Sequence, residues 1–284
     1  MSSARWAALG RPWWPVGSRR SAAPDRQLAA TWTADFWGKA AATDRARGVL
    51  SEAGRANAHQ RAPKGTMTSE ARRDPISDPL LTPENAALVL IDYQAPQLNT
   101  IRSMDPQTLL TNTVTLAKVA QLYKLPRILS TVGVKTGVNP DSAPEIKAAM
   151  EGAASMDRTN LNAWEDVEFV KAVKSTGRQK LIMGALWSEV CLVFPALDAL
   201  RAGYEVFIPV DVVAGTSTLA HDAALQRAFQ AGAKPVSWIG VLCELQRDWS
   251  REKTAAGMVA VAASSGNSWA TEIAIKQFAG KVAK

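Results

Sequence analysis

The stretch Gly184-Ala185-Leu186-Trp187-Ser188-Glu189-Val190-Cys191 carries a thiol at the place where a strand pattern gives way to a helix pattern. The aliphatic run Lys180–Ala185 reads as a strand, and Val190–Arg201 reads as the helix that follows. Free backbone N–H groups and the positive end of a helix dipole favour a thiolate there and can also hold an oxyanion. The plainer reading is a small apolar residue packed between sheet and helix. A cysteine nucleophile needs a proton acceptor. Asp92 closes the apolar run Leu88–Ile91, and desolvation at a strand end suits a general base, although the same position suits a turn acid or helix cap. Arg158 lies in an irregular connection, where a surface charge is the plainer role. Of the two histidines only His221 lies outside residues 1–66, so a mechanism with two imidazoles is excluded. His221 reads as structural. Cys191 and Cys243 are the only cysteines, Cys243 reads as core, and no CxxC pair points to zinc. No metal and no cofactor is expected.

These residues need elements to hold them. Strands are predicted at Leu88–Asp92, Arg127–Val132, Lys180–Ala185, Glu205–Val210 and Lys234–Ile239. Helical patterns begin at Pro106, Pro144, Asp166, Val190 and His221, and residues 241–249 look helical as well. Alternating strands and helices imply an α/β fold of three layers, α/β/α, with a mostly parallel, doubly wound sheet. Ligands then bind beyond the carboxyl ends of the strands, where Asp92 and Cys191 fall. No GxGxxG follows the first strand and no P-loop occurs, so dinucleotide and nucleotide-phosphate readings lack support.

The chain has 284 residues and a net charge of +7. Residues 1–66 hold eleven Lys and Arg against four Asp and Glu, which accounts for all of it. Residues 67–284 balance at 22 of each sign, so the folded part offers polyanions no general attraction and no nucleic-acid partner is expected. Residues 1–66 read as a basic, disordered extension, or as sequence upstream of a start at Met67. The folded domain is expected over 67–253, followed by an Ala/Gly/Ser-rich tail at 254–284. No apolar run is long enough to span a bilayer, and no membrane partner is expected. Free cysteines favour a reducing, cytoplasmic setting, with an organellar or export signal in the basic extension left open.

Leu90-Ile91-Asp92-Tyr93-Gln94, Thr136-Gly137-Val138-Asn139, Asn162-Ala163-Trp164, Glu189-Val190-Cys191 and Cys243–Trp249 occur in an order and spacing that resembles the isochorismatase-like cysteine hydrolases, in their YcaC-like branch. The similarity covers roughly residues 80–250. It implies a triad of Asp92, Cys191 and a cation, with Arg158 at the usual lysine position and Lys135 as a second candidate. Arginine can orient and stabilise but does not shuttle a proton. The resemblance further implies a cis peptide at Leu186–Trp187, which aims the N–H groups of an oxyanion hole formed with Cys191. Trp187 departs from the small or β-branched residue expected there, and would close, tighten or disrupt the pocket. Gln94, Asn139, Asn162 and Trp164 are the implied substrate-pocket residues. The implied activity is hydrolysis of a small amide or related C–N or acyl compound through a thioacyl-enzyme, in a homo-oligomer. The alternative is a catalytically silent protein of the same fold, serving in assembly or ligand binding. The apolar segments around Trp238 and Trp249 supply either contacts between copies or core.

Overall fold

The computed structural model describes residues 73–282. The expectation for residues 1–66 lies outside the described residues. Six parallel strands form one sheet in the order β3-β2-β1-β4-β5-β6. They are β1 (Ala86–Ile91), β2 (Arg127–Val132), β3 (Ala154–Arg158), β4 (Lys180–Ala185), β5 (Glu205–Pro209) and β6 (Lys234–Val236). The helices are α1 (Ala95–Thr100), α2 (Pro106–Leu122), α3 (Pro144–Ala149), α4 (Val167–Ser175), α5 (Val193–Arg201), α6 (Thr218–Gln230), α7 (Trp238–Gln246), α8 (Glu252–Ala263) and α9 (Ser268–Val282). α2 packs with α3, α7 and α8, whereas α5 packs with α6, so helices flank the sheet in two separate groups.

β1 and β4 are central neighbours, paired from Ala86–Lys180 to Ile91–Ala185. Every residue of both strands is buried, which explains their continuous apolar runs. Strand order reverses between these two, so the crevice beyond their carboxyl ends is the topological switch point. Asp92 and Cys191 both follow strands that open onto it.

Two differences from the sequence expectation bear on the sheet edges. β3 was not anticipated, and Arg158, expected in an irregular connection, is its last residue. An edge strand with one partner and four of five residues incompletely buried shows no apolar run to read. The last strand stops at Val236 rather than Ile239. There the Ser237 hydroxyl accepts from the Gly240 N–H at 3.1 Å and the Asp211 carboxylate accepts from the Trp238 N–H at 2.9 Å, starting α7 early.

The core of α7 is the stripe Trp238, Val241, Leu242 and Leu245. Cys243 falls off that stripe and is exposed, which corrects its reading as core. Trp238 is core, while Trp249 is exposed. The Ala/Gly/Ser-rich segment after 254 is helical through α8 and α9. α8 lies close on α2 because Gly257 has no side chain: a Cβ there would sit 2.5 Å from Leu122 Cδ1. Met258, Ala262 and Ile273 from these helices join the core.

Candidate active site

Arg158 reaches Asp92 across two strands. β3 pairs with β2, setting Arg158 beside Val132, and β2 pairs with β1, setting Ser130 beside Ile91. The guanidinium donates from Nη1 to Asp92 Oδ1 at 2.8 Å and from Nη2 to Oδ2 at 2.7 Å. Both side chains are fully buried. Nη1 also donates to Ser130 Oγ at 3.1 Å and to the Thr131 carbonyl at 3.0 Å, and Nη2 to the Leu161 carbonyl at 3.4 Å. A two-pronged ion pair with this many further acceptors holds the carboxylate in a single orientation. The backbone does the same, since Asp92 adopts a positive φ of 61° while its N–H donates to the Ser130 carbonyl at 2.9 Å.

Cys191 sits one turn earlier than the helix proper. Ser188–Leu192 form a π-helical turn, and α5 begins at Val193. Asp92, Arg158 and the Trp187 backbone N–H all lie close enough to the thiol to act on its charge. Its pKa is pushed up well beyond the ordinary cysteine range. Burial is the largest cause, followed by the Asp92 charge and hydrogen bond; the Arg158 charge and the Trp187 N–H pull the other way without offsetting them. The helix end that favours a thiolate is thus opposed by desolvation and by an adjacent anion.

The Leu186–Trp187 peptide is cis, as the resemblance implied. The Trp187 indole is tied to α1, where Nε1 donates to Thr100 Oγ1 at 3.0 Å and to the Gln97 carbonyl at 3.3 Å. Lys135 is exposed, and its backbone N–H binds Asp157 Oδ2 at 2.8 Å, so Arg158 is the cation that meets Asp92.

The remaining expected pocket residues have structural partners. Buried Gln94 donates to the Val132 and Pro140 carbonyls at 3.1 and 2.6 Å and accepts from the Val132 N–H at 3.0 Å, which uses both ends of its amide. Asn139 donates to the Val132 carbonyl at 3.0 Å. Asn162 caps the turn Ala163–Glu165 through the Trp164 N–H and donates to Asp198 Oδ2 at 2.7 Å. Trp164 packs edge-on against Phe169 and Tyr204.

Sequence reasoning missed the residues that brace the cysteine turn. The fully buried Ser188 hydroxyl lies 2.9 Å from His221 Nδ1 and 3.2 Å from Glu189 Oε2. Glu189 Oε1 accepts the Thr216 N–H and hydroxyl at 2.9 and 2.7 Å. Burial holds His221 below the usual histidine range, in keeping with a structural role. Gly215 lies against this cluster, where a Cβ would sit 2.5 Å from Glu189 Oε2 and 2.9 Å from Ser188 Oγ. Ser188 and Glu189 do adjoin Cys191 in the chain, but their link to His221 has no local signal.

The family model for the isochorismatase domain matches residues 86–239. The probable hydrolase YcaC of Escherichia coli is 39% identical over 173 residues, which span 61% of this chain and 83% of that protein. The crystal structure of the E. coli YcaC gene product, described as an octameric hydrolase of unknown specificity, superposes with a TM-score of 0.67 at 35% identity, over 71% of this chain and 98% of that one. YcaC from Pseudomonas aeruginosa, solved with hexane-2,5-diol and covalent acrylamide, superposes with a TM-score of 0.66 at 35% identity and the same coverage. Among the described residues, no helix is long and apolar enough to cross a membrane.

Proposed function

The chain belongs to the isochorismatase family as a relative of YcaC hydrolases, and on that premise we propose that it hydrolyses a small amide or related acyl compound through a thioacyl-enzyme on Cys191. The observation that carries this reading is the meeting of Asp92, Arg158 and Cys191 at the switch point of the sheet. The Asp92 carboxylate, close to the thiol, is the acceptor for the first proton. As the sulfur attacks the carbonyl carbon, its proton passes to Asp92 and the carbonyl electron pair moves to oxygen. Backbone N–H groups of Cys191 and Trp187 hold that oxyanion. Asp92 then gives the proton to the leaving nitrogen as the C–N bond breaks. Water attacks the thioester carbon, loses a proton to Asp92 and displaces the sulfur, which takes the proton back. The sum is amide plus water to acid plus amine. Arg158 keeps its charge throughout and orients the carboxylate.

Trp187, standing where a small or β-branched residue is expected and tied to α1 through its indole, favours a second reading, a silent protein that keeps the fold for assembly or ligand binding. The two readings separate in one experiment. Wild type and Cys191→Ala are screened on small amides, and the Cys191 peptide is weighed after rapid quench. Turnover that vanishes in the alanine variant, with an acyl mass on the wild-type peptide, supports the hydrolase. Turnover unchanged by the alanine rejects the nucleophile, and no turnover with no adduct favours the silent reading.

A homo-oligomer belongs to the same proposal. The E. coli relative is described as octameric, and exposed Trp249, Ile275 and Phe278 are apolar surface of the kind contact between copies would cover. Light scattering on the purified chain tests it. A cytoplasmic setting fits two free cysteines.

A further inference from the structure

The hydrogen bonds at Ser188 can run in one direction only. Its hydroxyl carries a single proton and stands between two partners, His221 Nδ1 at 2.9 Å and Glu189 Oε2 at 3.2 Å. An ionised Glu189 can only accept. Burial works against its charge, but bonds from Thr216 and Ser188 prevail and hold its carboxyl below the usual glutamate range. The serine proton therefore points at Oε2, and the serine oxygen accepts from the ring. Were that proton turned to Nδ1, Oε2 would face a lone pair across 3.2 Å with nothing between them. The ring holds one proton, because burial lowers its pKa against the pull of Asp222 from α6 and Glu189 from the cysteine turn. That proton must sit on Nδ1. Glu189 ends the chain with its other oxygen, which accepts the Thr216 N–H and hydroxyl at 2.9 and 2.7 Å.

The chain is anchored where the cysteine turn starts. Ser188 is the first residue of the turn Ser188–Leu192 and follows the cis peptide bond. Its N–H donates to the Ala214 carbonyl at 2.9 Å, and the Trp187 carbonyl takes the Val190 and Leu192 N–H groups at 3.2 and 3.3 Å. Gly215 is held in turn, its N–H donating to Ser103 Oγ at 2.9 Å and its carbonyl accepting the Arg102 N–H at 2.9 Å. The fully buried Ser188 side chain thus ties the turn to α6, and a shift there displaces Cys191, three residues on, relative to Asp92. We propose that His221 and Glu189 are positioning residues for Cys191, acting through Ser188 in a one-way chain, Nδ1–H to Oγ–H to Oε2, that fixes His221 as its Nδ1–H tautomer. The inference deepens the reading of Cys191 as nucleophile and rests on it for its catalytic meaning.

Nitrogen-15 NMR on labelled histidine reads the tautomer. In His59→Gln protein His221 is the only imidazole, and above the ordinary histidine range its proton is expected on Nδ1. Glu189→Gln should reverse the chain. The Thr216 N–H still needs an acceptor, so the glutamine carbonyl stays there and its NH2 group turns to Ser188. The serine proton then goes to Nδ1, and the ring proton moves to Nε2. Positioning is read by the rate of iodoacetamide labelling at neutral pH in Cys243→Ser protein, where Cys191 is the only thiol. Ser188→Ala breaks the chain and loosens the sulfur from burial and from Asp92, the two causes that raise its pKa, so the rate should rise at least about tenfold. Glu189→Gln keeps every link, and Ile273→Ala removes core on α9 alone, so both should stay within about threefold of wild type. A ring proton on Nε2 in wild type, or on Nδ1 in Glu189→Gln, overturns the chain. A rate unmoved in Ser188→Ala, or matched by Ile273→Ala, overturns positioning, and Glu189→Ala is read in its place if Ser188→Ala does not fold. None of these readings uses turnover, so amide hydrolysis that survives Cys191→Ala overturns the nucleophile alone.

Discussion

Replacing Asp92 by asparagine should make Cys191 more acidic and the protein less active at once. The carboxylate raises the thiol pKa both by its charge and as hydrogen-bond acceptor, while Arg158 lowers it. In Asp92→Asn the anion is gone and the guanidinium, fully buried, is left without its ion pair. Two unit charges about 4 Å apart interact by roughly 4 kcal/mol at an effective dielectric of about 20. Allowing half of that for relaxation, the thiol midpoint should fall by at least about one unit, at about 1.4 kcal/mol per unit. The assay is the pH dependence of iodoacetamide labelling of Cys191 in the Cys243→Ser background. The same variant loses its proton shuttle, so turnover should drop by roughly 10²–10⁴-fold. An unpaired buried arginine should also cost about 3–5 kcal/mol of stability, a melting loss of roughly 6–20 °C, which thermal unfolding reads separately. A midpoint that stays put or rises in the folded variant refutes the account of the thiol. Turnover held within about threefold refutes Asp92 as the base.

Arg158→Lys keeps the charge but cannot span both carboxylate oxygens along with the Ser130, Thr131 and Leu161 acceptors; it should lose at least about tenfold in kcat yet melt above Arg158→Met, which strands the Asp92 charge and should cost about 3–5 kcal/mol. The raised Cys191 pKa means the folded state holds that proton more tightly than the unfolded state, so its contribution to stability is full below the ordinary value of 9.0 and is lost as pH rises above it. Urea midpoints at neutral and alkaline pH should therefore converge in Cys191→Ala compared with wild type. Gly215→Ala pushes a methyl into Glu189 Oε2 and Ser188 Oγ, and should cost about 1–3 kcal/mol and lower kcat more than it raises KM, because it shifts the turn that carries the sulfur. His221 has a lowered pKa through burial, so its contribution is present above the ordinary 6.5 and is lost as pH falls through the folded value; His221→Asn should show a smaller stability loss between pH 7 and pH 5 than wild type.

The central strands could be read from the chain because β1 and β4 are buried on both faces, and continuous apolar runs closed by turn residues are what that burial demands. Asp92 and Cys191 stood out for the same local reason, as polar groups placed where such runs end. The cis bond and the choice of Arg158 came from resemblance, since neither leaves a mark in periodicity or composition. β3 was invisible: an edge strand leaves Ala154, Ser155, Met156 and Asp157 incompletely buried, and it is this strand that carries Arg158 to Asp92. Only the tertiary structure brings burial and the Asp92 carboxylate to bear on Cys191, because these act through space while the helix dipole acts along the chain. It likewise spent Gln94, Asn139 and Asn162 on the scaffold, since a buried amide bonds whichever carbonyls and carboxylates the fold brings within reach, and those partners lie up to 46 residues away.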